Sequence, residues 1–238
     1  LKESADNLGL LYSKGREFEC PHVELPDTYE EYLGQLGSST RAKIRRDSRR
    51  LQAHGDVRFR RTENREELEV DFDEFARLHT VRWNSRNCPG SFETGLFKEF
   101  LKSMAIDLLE TDSLDLLFLE IDGRPAAALY NMRYNNRISF LQSGLDSEVA
   151  SDLSPGLLLH DNSIHDAIDS GVREYDFLMM GATDTYKKRL AKESRFLCDI
   201  YLARPGLLNS LKRFEVKAKQ FINSLRERNS GTATPDKG

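Results

Sequence analysis

Cysteine is scarce in this sequence, and so is any long apolar run. The 238 residues hold three cysteines, Cys20, Cys88 and Cys198. They are far apart, odd in number and form no C-x-x-C pair, which argues against a disulfide framework or a cysteine zinc cluster and fits a reducing compartment. No apolar stretch approaches the roughly 18–20 residues that a bilayer-spanning helix needs. The longest, 114–121 and 126–130, have the length of strands. Residues 1–11 carry Lys2, Glu3 and Asp6, so they do not read as a signal peptide. A cytoplasmic protein with no membrane insertion is therefore expected. Net charge is −4, which excludes the whole molecule as a polyanion binder and leaves phosphate attraction to a local cluster. The chain opens on Leu1 rather than Met, as a fragment of a longer protein would, and its length suits one large domain or two small ones.

Periodicity supplies the elements. Residues 18–25 read as a strand closed by Pro26. Thr28 and Glu31 form a capping box for a short helix, and Gly37-Ser38-Ser39 breaks it before a second helix over 40–54 that stops at Gly55. A strand follows at 57–61. Asn64 and Glu67 cap a long helix carrying Leu68, Phe72, Phe75, Leu78 and His79 on one stripe, and Leu96 to Leu108 repeats the helical spacing. The period then changes to that of strands: 114–121, 124–134 and 137–145, joined by Asp122-Gly123 and Asn135-Asn136, predict an antiparallel meander. Ser154-Pro155-Gly156 opens a helix that ends at Gly171, followed by a short strand at 174–178. The right-handed crossover rule lays that strand parallel to the third meander strand. A final strand is expected at 195–203, an amphipathic helix at 207–228 and a disordered tail at 230–238.

A mixed sheet of this order has one place where an antiparallel run meets a parallel pair. Strands that diverge there open a cleft, and the crossover helix begins at it, with unpaired N–H groups and a partial positive charge suited to a pyrophosphate. Gly156 lets a ligand approach the backbone.

Four ordered clusters carry a resemblance. They are Ser38-Ser39-Thr40-Arg41 with Lys43-Ile44-Arg45-Arg46, Leu78-His79 with Arg82-Trp83, Ser154-Pro155-Gly156 with Leu157-Leu158-Leu159, and Tyr175-Asp176-Phe177-Leu178 with Gly181 and Tyr186-Lys187. The set resembles the GNAT acyltransferase superfamily, in the subfamily associated with cellulose and exopolysaccharide biosynthesis, which is similar in turn to the Fem-type peptidyl-transferases. The usual GNAT loop, Arg/Gln-x-x-Gly-x-Gly/Ala, is absent, and Lys188-Arg189-Leu190 stands where a tryptophan typically follows the Tyr-Lys pair. The resemblance implies an α/β fold, a GNAT-like mixed and mostly antiparallel sheet flanked by helices, with a V-shaped splay between the third meander strand and the parallel strand. It implies a domain over 26–229, with 1–25 as a remnant of an upstream GNAT-like unit. It implies acetyl-CoA or another acyl-CoA as co-substrate and no metal. The expected partners are a small-molecule or glycan-precursor acceptor and, as an option, a second copy of the chain. Nucleic acid enters only as tRNA, under a Fem-type alternative. A non-catalytic glycan- or partner-binding module is the remaining alternative.

Candidate roles follow from chemistry. Tyr186 could protonate a departing thiolate, Lys187 hold a phosphate or oxyanion, and Asp176 accept the amine proton; a solvated loop and a strand-end ion pair are the plain alternatives. Backbone N–H groups at Gln142, Ser143 and Gly144 would polarise the acyl carbonyl, while Ser154, Gly156 and Leu157 would hold the donor phosphates. Arg41 and Arg45, on one helical row with Arg49, would bind acceptor phosphate or tRNA, unless they form only a solvated basic face. Arg82 and Trp83 would wall the acceptor pocket, or else Trp83 packs in the core. His160 and His165 lie five apart, on different helix faces, and lack metal-ligand geometry. Cys88 reads as a plain loop cysteine.

Overall fold

A computed structural model describes residues 1–86, 90, 92, 95–181 and 186–206. The expected helix at 207–228, the tail at 230–238 and Cys88 lie outside the described residues. The elements run α1 (Lys2–Asn7), β1 (Leu11–Glu24), α2 (Tyr29–Gln35), α3 (Ser38–Leu51), β2 (Val57–Arg61), α4 (Arg65–Asn84), α5 (Leu96–Glu110), β3 (Leu114–Ile121), β4 (Arg124–Tyr134), β5 (Arg137–Leu145), α6 (Pro155–Asp169), β6 (Glu174–Asp176), α7 (Lys187–Leu190) and β7 (Glu193–Ala203). Seven strands share one sheet in the order β2-β3-β4-β5-β6-β1-β7, with β5 and β6 parallel. The chain divides into two compact units. Phe18–Leu197 is the larger; the other joins Leu1–Glu17 to Cys198–Gly238. In the smaller unit Gly15 lies against Tyr201 and Asp199, too close to admit a side chain.

The larger unit has two apolar layers, one on each face of the sheet. Tyr32, Ile44, Leu159, Ile164 and Tyr175 belong to one. Phe72, Phe75, Leu78, Phe118 and Tyr130 belong to the other. The meander forms as its sequence dictates. Asp122-Gly123 and Asn135-Asn136 all take positive φ, the conformation a two-residue type I′ hairpin turn needs. Ala126, Ala127 and Ala128 are fully buried. Capping also follows the sequence: the Thr28 hydroxyl accepts the Glu31 N–H at 3.3 Å and the Asn64 side chain accepts the Glu67 N–H at 2.9 Å.

Several boundaries differ from expectation, α3 beginning at Ser38 and β7 at Glu193 among them. The first strand begins at Leu11, not residue 18, because Ser13-Lys14-Gly15-Arg16-Glu17 pairs despite its polarity. Helix α3 ends at Leu51. Its turn continues to His54 through i→i−3 bonds, Ala53 N–H to Arg50 and His54 N–H to Leu51, so the glycine that ends the run, Gly55 at φ 106°, stands beyond the α-helix proper. Strand β6 stops at Asp176, whose carboxylate accepts the Leu178 N–H at 2.8 Å and turns the chain, with Leu178 at φ 50°.

Candidate active site

Strands β5 and β6 pair only at Arg137↔Glu174, Ile138↔Tyr175 and Ser139↔Asp176. Beyond Ser139, β5 runs on to Leu145 without β6 beside it. A bulge between the Tyr130↔Gln142 and Asn131↔Phe140 pairs adds bend and twist at that point. The Asp146 N–H bonds the Ala126 carbonyl at 3.0 Å. That fixes the phase of the ladder: Gly144 and Gln142 turn their backbone groups toward β4, and Ser143 and Leu145 turn theirs toward the gap.

The gap is the mouth of a cavity of about 700 Å³. The start of α6 forms one wall, where Ser154 sits at the N-cap with no side-chain capping bond and Pro155 at the first turn. Among the described residues the bond back to Ser154 in that turn is the Leu158 N–H, and the N–H groups of Gly156 and Leu157 are among the first-turn donors that an α-helix leaves without an intrahelical acceptor. A Cβ at Gly156 would meet nothing nearer than Leu145 Cδ1 at 3.9 Å; it would occupy cleft space, not protein space. The other walls come from Ser39, Thr40 and Lys43 of α3, Arg82 of α4 and Arg86 of the turn after it, Ser143 to Leu145 of β5, and Tyr186 and Arg189.

Four cations, Lys43, Arg82, Arg86 and Arg189, line this cavity, and among the described residues no carboxylate does. Lys43 is held by the buried Asp47 at 2.7 Å. Arg82 donates to the Ser143 hydroxyl, and its buried Nε has no acceptor among the described residues. Arg86 lies 5.9 Å from the Trp83 ring. In a chain of net charge −4, this concentration of cations, only Lys43 of which is paired with a carboxylate among the described residues, favours an anionic ligand.

Of the residues picked out in the sequence, the fold brings Arg82, Ser143, Gly144, Ser154, Gly156, Leu157 and Tyr186 to the cavity. The others stand elsewhere. Arg41 donates to the Leu33 carbonyl at 3.2 Å and closes the end of α2. Arg45 pairs with Glu30 at 3.3 Å on the surface. Trp83 donates to His79 Nε2 at 2.9 Å, and Gln142 sits beside the same histidine. Lys187 is buried, with Nζ donating to the Phe177 and Met179 carbonyls at 2.9 Å each and standing over the Phe140 ring. Asp176 is buried and faces Arg195 at 4.0 Å. Lys187 and Asp176 therefore fasten the chain that follows β6. Replacing Lys187 by methionine leaves two carbonyls without that donor, and is expected to cost about 2–4 kcal/mol, read as a lower denaturant midpoint.

Sequence reasoning passed over Arg86 and dismissed His160 as a metal ligand. His160 faces the cavity, while His165 stacks on Tyr29 at 4.1 Å and lies 3.6 Å from Asp169. Helical spacing separates the two rings, but which ring meets the cleft is set by the sheet packed beneath α6. The described residues that do bring metal-ligand atoms together, His22, Glu24 and Glu193, lie within 4.8 Å of one another and none lines the cavity.

A mixed sheet parting at one parallel pair, with a bare helix start and a cationic cavity at the fork, defines a transferase of the GNAT class. The chain belongs to the acetyltransferase (GNAT) domain family, whose model matches residues 38–188. No curated protein matches it. Three solved structures share the fold. A C-terminal domain from Agrobacterium fabrum, assigned as that of a lysylphosphatidylglycerol synthetase, aligns at 13% identity and TM-score 0.53 over 90% of this chain and 68% of its own. FemX aligns at 13% and 0.59 over 85% and 66%, and L-PGS from Bacillus licheniformis at 14% and 0.54 over 94% and 70%. The chain thus spans about two thirds of the length of these structures. Among the described residues no helix is long and apolar enough to cross a membrane.

Proposed function

We propose that this domain is an N-acyltransferase that moves an acyl group, acetyl in the first instance, from acyl-CoA to an amine on a sugar or cell-envelope precursor. The observation that carries the reading is the cation-lined, carboxylate-free cavity at the fork of β5 and β6. The free N–H groups at the start of α6 suit a pyrophosphate, the guanidinium of Arg82 suits a further anionic group, and the N–H groups of Ser143 and Leu145 suit the acyl carbonyl. Tyr186, at the cleft wall, is the proposed proton source for the leaving group. Asp176 and Lys187 act by holding the Tyr186 segment in place. The exopolysaccharide connection rests on the sequence resemblance alone.

Titration calorimetry with acetyl-CoA, and with CoA lacking its 3′-phosphate, tests the donor. Binding of acetyl-CoA that weakens by about 10- to 100-fold in Arg82→Ala is expected, since a hydrogen bond to a charged group is worth about 1.5–3 kcal/mol. Gly156→Val should abolish binding while leaving the melting temperature close to the parent value, because the new side chain enters the cleft and not the core. No heat with acetyl-CoA and no thermal shift would remove acyl-CoA as donor.

A second reading has its own observation. Arg46, Arg49 and Arg50 of α3 are exposed, and the same helix reaches the cavity through Lys43, so a basic surface continues outward from the cleft. An aminoacyl-tRNA donor, as in a Fem-type transferase, would use it, and the fold shared with FemX and L-PGS is compatible with that donor. It predicts RNA binding whose log K falls steeply and linearly with log salt. RNA binding that is insensitive to salt, or absent, removes it.

A further inference from the structure

Five polar side chains are buried together where α6 packs on the sheet: Asp115 of β3, Asn131 of β4, His160 and Ser163 of α6, and Tyr175 of β6, none more than 2% exposed. Arg61 Nε lies 2.8 Å from Asp115 Oδ1, and a carboxylate paired to a guanidinium only accepts. The Asn131 amide therefore presents its NH₂ to Asp115 Oδ2, at 2.9 Å. The same nitrogen lies 3.4 Å from the Ser163 hydroxyl, while Asn131 Oδ1 receives no hydrogen bond among the described residues. Ser163 and Asn131 both turn donors toward the Tyr175 oxygen. Among the described residues the Tyr175 hydroxyl makes one hydrogen bond, at 3.1 Å to His160 Nδ1. The phenol proton thus has His160 as its acceptor, and Nδ1 carries the lone pair that receives it.

Burial, and then the charges of Arg82 and Lys187, press the His160 imidazolium down to about 3, so at neutral pH the ring holds a single N–H. With Nδ1 accepting, that hydrogen sits on Nε2. Phe140 and Phe177 pack against the ring, with centroids at 4.7 Å and 5.3 Å, and His160 lines the cavity beside Leu157. Arg82 donates to the Ser143 hydroxyl and is near enough to act on the His160 ring, so the ring and Ser143 border one end of that cavity. Among the described residues the other polar side chains of the lining are of two kinds. Lys43 and three arginines are cations, and the serine, threonine and tyrosine hydroxyls can donate or accept. The Nε2–H group differs from both: it is uncharged and only donates, which matches it to an uncharged oxygen acceptor.

We infer that His160 is a neutral electrophile, whose Nε2–H donates to the carbonyl oxygen of the acyl group alongside the N–H groups of Ser143 and Leu145. This rests on the acyl-transfer reading given above. As the amine nitrogen bonds the acyl carbon, the π pair of the carbonyl moves onto the oxygen that Nε2–H holds. When that pair returns, the leaving group departs with the electron pair of its bond to the carbon. Tyr186 gives the leaving group a proton and recovers one from the amine nitrogen, so Tyr186 and His160 both end as they began. Nε2 already carries its hydrogen and takes no proton from the amine. Tyr175 is a positioning residue, acting on the carbonyl only through the ring whose tautomer it sets.

Long-range ¹H–¹⁵N correlation spectra of the full chain at neutral pH read the tautomer directly, with no substrate. The expected result is Nε2–H at His160 in the parent and a mixture of tautomers in Tyr175→Phe. A parent spectrum showing Nδ1–H overturns the inference. Transfer from acetyl-CoA to an amine then separates a donor from a base. The glutamine amide carries an N–H at about the reach of Nε2 and has no basic nitrogen, so His160→Gln should lose at most about tenfold in kcat and His160→Leu about 100-fold. Equal losses in the two folded variants overturn the donor role. Binding locates the contact: acetyl-CoA should bind His160→Leu about tenfold more weakly than the parent, while S-ethyl-CoA, which lacks the carbonyl, should bind both alike. An equal loss for both ligands overturns the carbonyl assignment. If acetyl-CoA does not bind the parent, the acyl-CoA reading and the carbonyl contact fall together, while the spectra alone decide the tautomer.

Discussion

Gly144→Ala is expected to destabilise the protein by roughly 3 kcal/mol or more, at the upper end of the cost of overpacking a core. A Cβ built there would stand 2.4 Å from Leu78 Cβ, 2.7 Å from the His79 nitrogen and 2.8 Å from the Leu78 carbonyl carbon. Two of these are backbone atoms of α4, which cannot rotate aside. The helix itself has to lift from β5, and Arg82, one turn further along, lifts with it. Chemical denaturation should show the lower midpoint, and if acyl-CoA is the donor, as proposed, its binding should weaken in parallel. The glycine thus serves the close approach of α4 on one side of the sheet while its neighbours face the cleft. Gly34→Ala is the control. Gly34 is exposed in α2 with nothing within 4 Å of its added Cβ, and the change should be neutral or gain up to about 1 kcal/mol. Equal losses at both positions would refute the close-approach argument.

The contrast between these two glycines marks what the sequence discloses. Turns and caps were legible because their chemistry is local. Asp122-Gly123 and Asn135-Asn136 need no partner to adopt positive φ, and Asn64 needs only Glu67. The order β3-β4-β5-β6 and the parting of β5 from β6 followed from that local reading plus the crossover rule, whereas the places of β2, β1 and β7 in the sheet did not. The convergence of Lys43, Arg82, Arg86 and Arg189 did not, since these residues come from α3, from α4 and the turn after it, and from α7, and meet only once the sheet has set their helices in place. The row Arg41, Arg45, Arg49 looked like the binding face of α3 by spacing, yet Arg41 and Arg45 are engaged by α2, and it is Ser39, Thr40 and Lys43 that reach the cavity. Helical periodicity identifies faces but not what each one meets. The length of β1 was hidden for a related reason: backbone pairing holds a polar segment that its side chains alone would not mark as a strand.

Acidification should destabilise the fold well before ordinary carboxylates titrate. His79 is pushed down to about 4, by burial first and then by Arg82, and His160 to about 3, by burial and then by Arg82 and Lys187. Both are neutral in the native state, whereas the unfolded chain protonates them near 6.5. Their contribution is therefore present above 6.5 and is lost as pH falls toward 4. Asp161 acts in the opposite sense. Burial raises it to about 6, against the bond it accepts from Tyr29, so the native state holds a proton between 3.8 and 6 that the unfolded chain has released, and acidification through that window favours folding. Asp166, also raised by burial, adds to it. Two protons taken up by the unfolded state against about one by the native state leave a net slope of roughly 1.4 kcal/mol per pH unit, or about 3 kcal/mol between pH 6 and 4. Below that range the carboxylates held down by lysine partners, the half-buried Glu19 and the exposed Glu69, lose their ion pairs too. Denaturation midpoints followed from pH 7 to 4 should trace this decline. In His160→Gln one of the two proton uptakes disappears, and stability between pH 6 and 4 should become nearly flat. A parental slope in that variant would mean that His160 is not held neutral by the core, and a rise in parental stability on acidification would mean that the aspartates outweigh both histidines.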